Sequence, residues 1–406
     1  LITMRTNAIY CGDAARVLAG FPDASVDLIY ADPPFFTNKQ YEVIWGDGYE
    51  IRAFEDRWKG GIENFIAWME PKVRECHRVL KPTGSMYLHC DWHANAHLRV
   101  LMDRVFGQIH CEVIWDKGFR GTERQRNWQQ SHDTILFYVK GEGYVWNDQY
   151  QDYADPAMSR YNKMDDKGRK YALIKRRRTD GSIYYGKTYP KAEGKRINDI
   201  IRVPVLAATA KERLSYPTQK PEALLETIIW ASSNPTDIVI DPFCGCGTAI
   251  AVAQKLGRRW IGIDVSPTAC KLMASRMRSL GVFVQERDII GLPRTLDEVK
   301  AMQPFEFQNW VLQKLGGRVS ERKVGDMGID GWLWDKPIQV KQSEHVGRKV
   351  LDEFETALRR VKKNQGVIVG FSFTKDANEG AAEAKNRLGE GFEIELLTVE
   401  DLINRP

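Results

Sequence analysis

Residues 238–248 read Ile238-Val239-Ile240-Asp241-Pro242-Phe243-Cys244-Gly245-Cys246-Gly247-Thr248, and after one helical stretch closed near Gly257 the chain continues Trp260-Ile261-Gly262-Ile263-Asp264. An apolar run, a glycine-rich turn, a helix and a second apolar run ending in a carboxylate make one β-α-β unit of a parallel sheet. Gly245 and Gly247 let the turn tighten and the backbone approach a ligand. Asp264 closes the next strand 23 residues after Asp241, where a carboxylate accepts both hydroxyls of a ribose. The third glycine of a dinucleotide fingerprint is missing and no P-loop sequence occurs, which argues against NTP hydrolysis. Cys244 and Cys246 lack the second pair that a metal site needs, so they read as small turn residues.

The same texture extends outward. Runs at 7–11, 26–31, 85–89, 111–115 and 134–139 read as buried strands, and 94–106 carries helical spacing. Pro221 opens a helix whose Leu224, Leu225, Ile228 and Ile229 share one face. This alternation predicts an α/β fold with a parallel sheet covered by helices. Directly after the strand VDLIYA stands Asp32-Pro33-Pro34-Phe35. Two prolines stop the ladder and stiffen a loop at the sheet's carboxyl edge. A carboxylate and a proline carbonyl there can accept both hydrogens of an exocyclic amino group, and Phe35 offers a face for a planar base.

The chain's 406 residues predict two or three cores, and 43% apolar with 28% charged residues excludes global disorder. No apolar run approaches a membrane span, and no signal-peptide core is seen at the start of the sequence. Seven cysteines without paired spacing predict reduced thiols and a cytoplasmic setting. The net charge is +5, from 59 Lys+Arg and 54 Asp+Glu. Residues 144–200 hold thirteen Lys/Arg, eight Asp/Glu and eight of the fifteen tyrosines, so this segment alone carries the excess. Lys167, Arg169, Lys170 and the run Lys175-Arg176-Arg177-Arg178 suit phosphate contacts, and the interleaved tyrosines suit stacking. His89, His93 and His97 recur every four residues beside Cys90 and Asp91, but 85–90 reads as a strand, which takes His89 off any shared helix face and disfavours zinc.

Asp32-Pro33-Pro34-Phe35 preceding Asp241-Pro242-Phe243-Cys244-Gly245-Cys246-Gly247-Thr248 resembles the permuted β group of DNA amino-methyltransferases, whose catalytic motif comes before the cofactor motif. Tyr216-Pro217-Thr218-Gln219-Lys220-Pro221, residues 77–84 and residues 131–136 also look like blocks of that family. The resemblance covers about residues 7–280 and implies a Rossmann-like S-adenosylmethionine-dependent methyltransferase with an inserted target-recognition region. It implies catalytic roles for Asp32, Pro33, Pro34 and Phe35. Asp13, Thr218, Lys220, Asp241, Phe243, Cys244, Gly245, Gly247, Thr248 and Asp264 would hold the cofactor. The expected units are 1–143 (catalytic half), 144–215 (target recognition), 216–290 (cofactor half) and, after a linker near Gly291-Leu292-Pro293, 304–406. The substrate implied is double-stranded DNA with its target base flipped out. An aspartate in the first motif position leans towards N6-adenine, whereas serine there is commoner for N4-cytosine. RNA or protein amide methylation uses similar motifs and is disfavoured by the permuted order and the basic insertion. A homodimer is compatible with the resemblance.

Residues 304–406 contain Gly325-Asp326-Met327-Gly328-Ile329-Asp330-Gly331 and then Ile338-Gln339-Val340-Lys341. A hairpin would bring Asp330, Gln339 and Lys341 together, a set able to hold Mg²⁺ through Asp330 and Gln339 and to stabilise phosphodiester charge through Lys341. The segment resembles the PD-(D/E)xK nuclease fold in its Mrr-like restriction branch, with Glu306 matching the extra acid of that branch. Ile329 departs from the name-giving proline. The alternative is a domain that only binds DNA.

Overall fold

The computed structural model describes residues 3–404 apart from 37–39, 46–48, 56–60, 119–127, 129, 152–157, 208, 215–217, 303, 320–327 and 390. Its strands are β1 (Ala8–Cys11), β2 (Val26–Ala31), β3 (Gln40–Trp45), β4 (Tyr49–Glu55), β5 (Leu80–Cys90), β6 (Cys111–Asp116) and β7 (His132–Val139). These are followed by β8 (Tyr150–Gln151), β9 (Lys163–Met164), β10 (Lys170–Arg177), β11 (Ile183–Thr188), β12 (Lys195–Arg196), β13 (Ile200–Arg202), β14 (Ile238–Asp241) and β15 (Arg259–Asp264). The C-terminal part adds β16 (Arg318–Val319), β17 (Gly331–Leu333), β18 (Lys336–Val340), β19 (Gln365–Gly370) and β20 (Glu393–Thr398).

Eight strands form the main sheet in the order β1-β15-β14-β2-β5-β7-β6-β13. Strands β1, β2 and β14 are buried along their whole length because helices cover both faces. Successive residues therefore feed opposite cores. Ile29 and Ile240 pack with Phe65, Met69 and Val73 of the helix Gly61–Val79 on one side. Leu28, Tyr30 and Val239 pack with Leu224, Ile228 and Ile250 of the helices Glu222–Ala231 and Thr248–Lys255 on the other. The expected strands recur, with one difference in direction: β7 runs antiparallel to both β5 and β6. The apolar run 134–139 could not signal this, because burial on both faces looks alike in either direction.

β14 and β2 are neighbours, with Val239 opposite Leu28 and Ile240 opposite Ile29. The helix following β14 covers one face and the helix following β2 the other, so their loops diverge from one point of the carboxyl edge. Open α/β sheets bind ligands at such a switch point.

The stretch 144–215 departs from the main sheet to make β9–β11, an antiparallel three-stranded ribbon, and a short β8–β12 pair. It then gives one strand back: β13 pairs in parallel with β6, Ile200 opposite Ile114. The Trp115 indole N–H donates to the Val203 carbonyl at 2.7 Å and anchors that return.

The C-terminal sheet has the order β16-β17-β18-β19-β20, antiparallel at first and parallel from β18 onward. The helix Pro304–Leu315 packs on one face through Phe307 and Val311, and the helix Arg348–Arg360 on the other through Leu351, Phe354 and Leu358. Gln313 reaches across to the main domain, donating from Nε2 to the Thr268 hydroxyl at 2.9 Å. Among the described residues no helix is long and apolar enough to cross a membrane.

Candidate active site

One cavity opens at the switch point between β2 and β14. Asp32, Pro33, Pro34 and Phe35 line it from the loop after β2, and Asp241 through Cys246 from the loop after β14. Asp13, Thr218, Lys220, Thr248 and Asp264 complete it. The two motifs, far apart in the chain, thus face one space.

Lys220 is buried and hydrogen-bonds Asp32 Oδ2, with its ammonium also 4.9 Å from the centre of the Phe35 ring. The other carboxylate oxygen, Asp32 Oδ1, is buried with no hydrogen-bond partner. An unpaired buried acceptor is costly, and such atoms in native folds call for a ligand or water. Asp264 accepts from Gly245 N–H at 2.8 Å on Oδ2 and from Ser266 N–H at 2.9 Å on Oδ1. Burial pushes its pKa up, opposed by those backbone donors. Asp241 accepts from Phe243 N–H at 3.0 Å, and burial together with the nearby Asp32 and Asp264 raises its pKa well above the usual carboxylate range. That bond braces the turn, and Asp241 also lines the cavity.

Gly247 is the one predicted cofactor residue that does not line the cavity. It caps the helix Thr248–Lys255 with φ 80°, and a Cβ there would stand 3.0 Å from Met273 Cγ. Its glycine is therefore demanded by backbone handedness and by packing on the helix Pro267–Ser279.

Two cavity residues carried no recognisable signal. Trp68 and Lys72 come from the helix Gly61–Val79, where their spacing looks like ordinary amphipathic patterning. Lys72 Nζ lies 2.8 Å from Asp13 Oδ2 and 4.0 Å from the Trp68 ring centre, which orients Asp13 at the mouth. Tyr216 and Pro217 lie outside the described residues, as do Gly325, Asp326 and Met327.

In the smaller domain Asp330 precedes β17 and its Oδ2 accepts from Val340 N–H at 2.7 Å. Burial raises the Asp330 pKa, while Val340 N–H and the Lys341 charge oppose the rise. Gln339 is buried with Oε1 unpartnered. Among the described residues no group of three or more His, Cys, Asp or Glu side chains is arranged to hold a metal. Glu306, expected as the extra acid beside Asp330, lies at the contact with the main domain. The residue is buried, both carboxylate oxygens included, and its electrostatic neighbours are Ser266 and Asp264 of the main domain. On a helix, positions 306 and 313 share a face, and Gln313 also turns to the main domain, whereas Gln308 Nε2 donates to the Asp330 carbonyl at 3.1 Å from another face. Residue spacing to Asp330 could not reveal that rotation.

The basic run lies on the exposed ribbon. Lys175 and Arg177 sit opposite Tyr185 and Ile183, whereas Arg176 sits opposite Tyr184 and points to the other face. The Arg178 guanidinium lies 5.1 Å from the Tyr184 ring. Lys170 opens β10, while Lys167 and Arg169 belong to a turn organised by Asp165, which accepts from both of their backbone N–H groups and pairs with the Arg169 guanidinium at 2.8 Å.

A family model described as a DNA methylase of the N6/N4 type matches residues 26–275, and one described as a restriction endonuclease of the Mrr catalytic type matches residues 299–405. The chain is 34% identical over 267 residues to the DNA adenine methyltransferase YhdJ of Escherichia coli (strain K12), spanning 66% of this chain and 81% of that protein. It is 29% identical over 294 residues to the type II methyltransferase M.HinfI of Haemophilus influenzae, spanning 70% and 72%. Among solved structures, a DNA modification methylase from Thermus thermophilus overlaps 68% of this chain and 97% of its own at 20% identity, with a TM-score of 0.43.

Proposed function

Because the chain belongs to the N6/N4 DNA methylase family, we propose that it methylates the N6 amino group of a flipped-out adenine in double-stranded DNA, and that its C-terminal Mrr-like domain is a Mg²⁺-dependent endonuclease. S-adenosylmethionine is the methyl donor, and the donor set of the cavity fits it. Asp264 suits the ribose hydroxyls, Asp13 the adenine end, and Phe243, Cys244, Gly245, Thr218 and Thr248 the remaining walls. When bound, its sulfonium supplies an electrophilic methyl group.

The observation that carries the methylation reading is Asp32 Oδ1, a buried acceptor left open beside an occupied Oδ2. In this reading Oδ1 and the Pro33 carbonyl accept the two hydrogens of the amino group. Withdrawing both hydrogens into defined bonds concentrates the lone pair on nitrogen and aims it, which replaces a strong general base with orientation. Phe35 stacks on the extruded ring, and the Lys220 ammonium keeps the Asp32 carboxylate from turning away. Adenine is favoured by the aspartate at the first motif position. The cationic ribbon β10–β11 supports a DNA-facing role for Lys175, Arg176, Arg177 and Arg178, joined by Lys170 and Lys167.

Incubation with unmodified DNA and labelled methyl donor, followed by nucleoside mass spectrometry, tests this. N6-methyladenine that disappears in Asp32→Ala is the expected result. N4-methylcytosine would overturn the base assignment, and undiminished transfer by Asp32→Ala would overturn the site.

For the smaller domain the support is the meeting of Asp330, the unpartnered Gln339 oxygen and Lys341 at one hairpin. Oxygen donors of this kind suit a hard divalent cation, and the lysine charge suits a phosphodiester. Plasmid nicking that requires Mg²⁺ and is lost in Asp330→Ala and Lys341→Ala is expected. Its absence in the intact chain would leave this domain a DNA-binding module.

A further inference from the structure

His89, set apart in the sequence by its place among the regularly spaced histidines, has a different setting from that spacing. It is fully buried in β5, directly behind the catalytic loop. Its Nδ1 lies 2.7 Å from the Tyr30 hydroxyl and 4.0 Å from Asp32 Oδ1, the open acceptor. Its Nε2 lies 3.3 Å from Asp133 Oδ2, and Asp133 Oδ1 accepts from Lys117 Nζ at 2.6 Å. The Phe35 ring packs on the imidazole with centroids 5.4 Å apart, and Trp115 meets it edge-on at 5.5 Å. The chain Lys117–Asp133–His89–Tyr30 thus ends beneath both Asp32 and Phe35.

The charges in this chain settle where the imidazole proton sits. Burial and the nearby Lys220 push the His89 pKa down, which keeps the ring neutral. Burial pushes the Asp133 pKa up, yet the His89 hydrogen bond and the Lys117 ammonium outweigh it and hold the carboxyl below the usual carboxylate range. An ionised carboxylate only accepts hydrogen bonds, so Nε2 carries the hydrogen and Nδ1 is left as an acceptor for the Tyr30 hydroxyl. The opposite tautomer would put an N–H at Nδ1. That N–H, or the Tyr30 O–H it displaces, would then find Asp32 Oδ1 as the open acceptor nearby, and would cap the oxygen that the substrate amino group needs.

We propose that His89 is a positioning residue for methyl transfer, held by the Lys117–Asp133 pair in the Nε2–H form so that it presents a lone pair, never a donor, towards Asp32. This rests on the reading of Asp32 as the acceptor of the amino hydrogens. Asp133→Asn separates the alternatives. The oxygen of the new amide stays on the Lys117 ammonium and its NH₂ then donates to Nε2, forcing the hydrogen to Nδ1 without removing a side chain.

In the protein labelled with ¹⁵N-histidine, two-bond ¹H–¹⁵N correlations report the tautomer, and His89→Gln identifies the signal. The wild type is expected in the Nε2–H form and Asp133→Asn in the Nδ1–H form. Single-turnover methylation by Asp133→Asn should fall roughly 10- to 100-fold, with the dissociation constants for cofactor and DNA changed less than about twofold. An Nδ1–H signal in the wild type overturns the proposal without need of the variant. So does an Asp133→Asn protein that flips its tautomer and still turns over at the wild-type rate. A wild type that transfers no methyl group to DNA would instead overturn the underlying reading of Asp32, leaving the tautomer result to stand separately.

Discussion

Lys220 and Asp32, 188 residues apart in the chain, form a hydrogen-bonded ion pair inside one cavity. The pair joins the segment before the helix Glu222–Ala231 to the loop after β2 and occupies one oxygen of the Asp32 carboxylate while leaving the other open. Replacing Lys220 with Met keeps the stem and removes the charge. Rapid-quench methylation is expected to slow by roughly two orders of magnitude, with DNA affinity near the wild-type value. A wild-type rate in Lys220→Met would show that the pair does not orient Asp32.

Gly247 combines a left-handed backbone with close packing on Met273. Gly247→Ala should destabilise the methyltransferase domain by about 1–3 kcal/mol, because both the φ angle and the Cβ are penalised. Denaturant unfolding followed by tryptophan fluorescence measures this. Ala at Gly257, where φ is also positive but nothing lies within 4 Å, should cost less, and an equal cost would mean that the Met273 contact adds nothing.

The alternation of β10 divides its charges between the two faces of the ribbon, which is two-stranded from Ala172 to Arg177. Neutralising Lys175 and Arg177 together removes one face, and neutralising Arg176 the other. Each change should lower DNA affinity and flatten its salt dependence by about one unit of slope per lost phosphate contact, while cofactor affinity holds. Fluorescence anisotropy over a salt series gives the slopes. An unchanged slope in both variants would place the DNA elsewhere.

Glu306 belongs to the contact between the domains, and burial pushes its carboxyl pKa up to about 8. Between the ordinary glutamate value and about 8 the folded protein keeps a proton that the unfolded chain has released. Stability from this group therefore falls as pH rises through that window and levels off above it. Glu306→Gln removes the slope, so at pH 8.5 it should raise stability by about 1–3 kcal/mol and at pH 5 change it little. Thermal melting at both pH values is the check. A loss of stability at pH 8.5 would show that the ionised carboxylate is needed at the contact.

Much of this protein was open to reading in one dimension. Apolar runs of strand length, the glycine turn after Asp241 and the two prolines after Asp32 each follow from local rules of burial and backbone geometry, so they predicted a doubly covered sheet with loops at its carboxyl edge. The charge excess of residues 144–200 likewise marked a segment suited to phosphate contacts, since thirteen cations cannot enter a core. What tertiary structure alone decided are relations through space. The antiparallel entry of β7, the return of β13 to the main sheet and the arrival of Lys72 beside Asp13 depend on which surfaces meet. Glu306 shows the reason most clearly: its helix was legible, but which face meets the C-terminal core through Phe307 and Val311 and which meets the main domain through Gln313 was decided by tertiary packing. His89 shows the same for chemistry. Its neighbours in sequence raised the question of a metal, and its neighbours in space are Tyr30, Asp32 and Asp133. A side chain's type is written in the sequence, whereas its proton, its charge and its partner are fixed only when packing removes water and leaves it one set of neighbours.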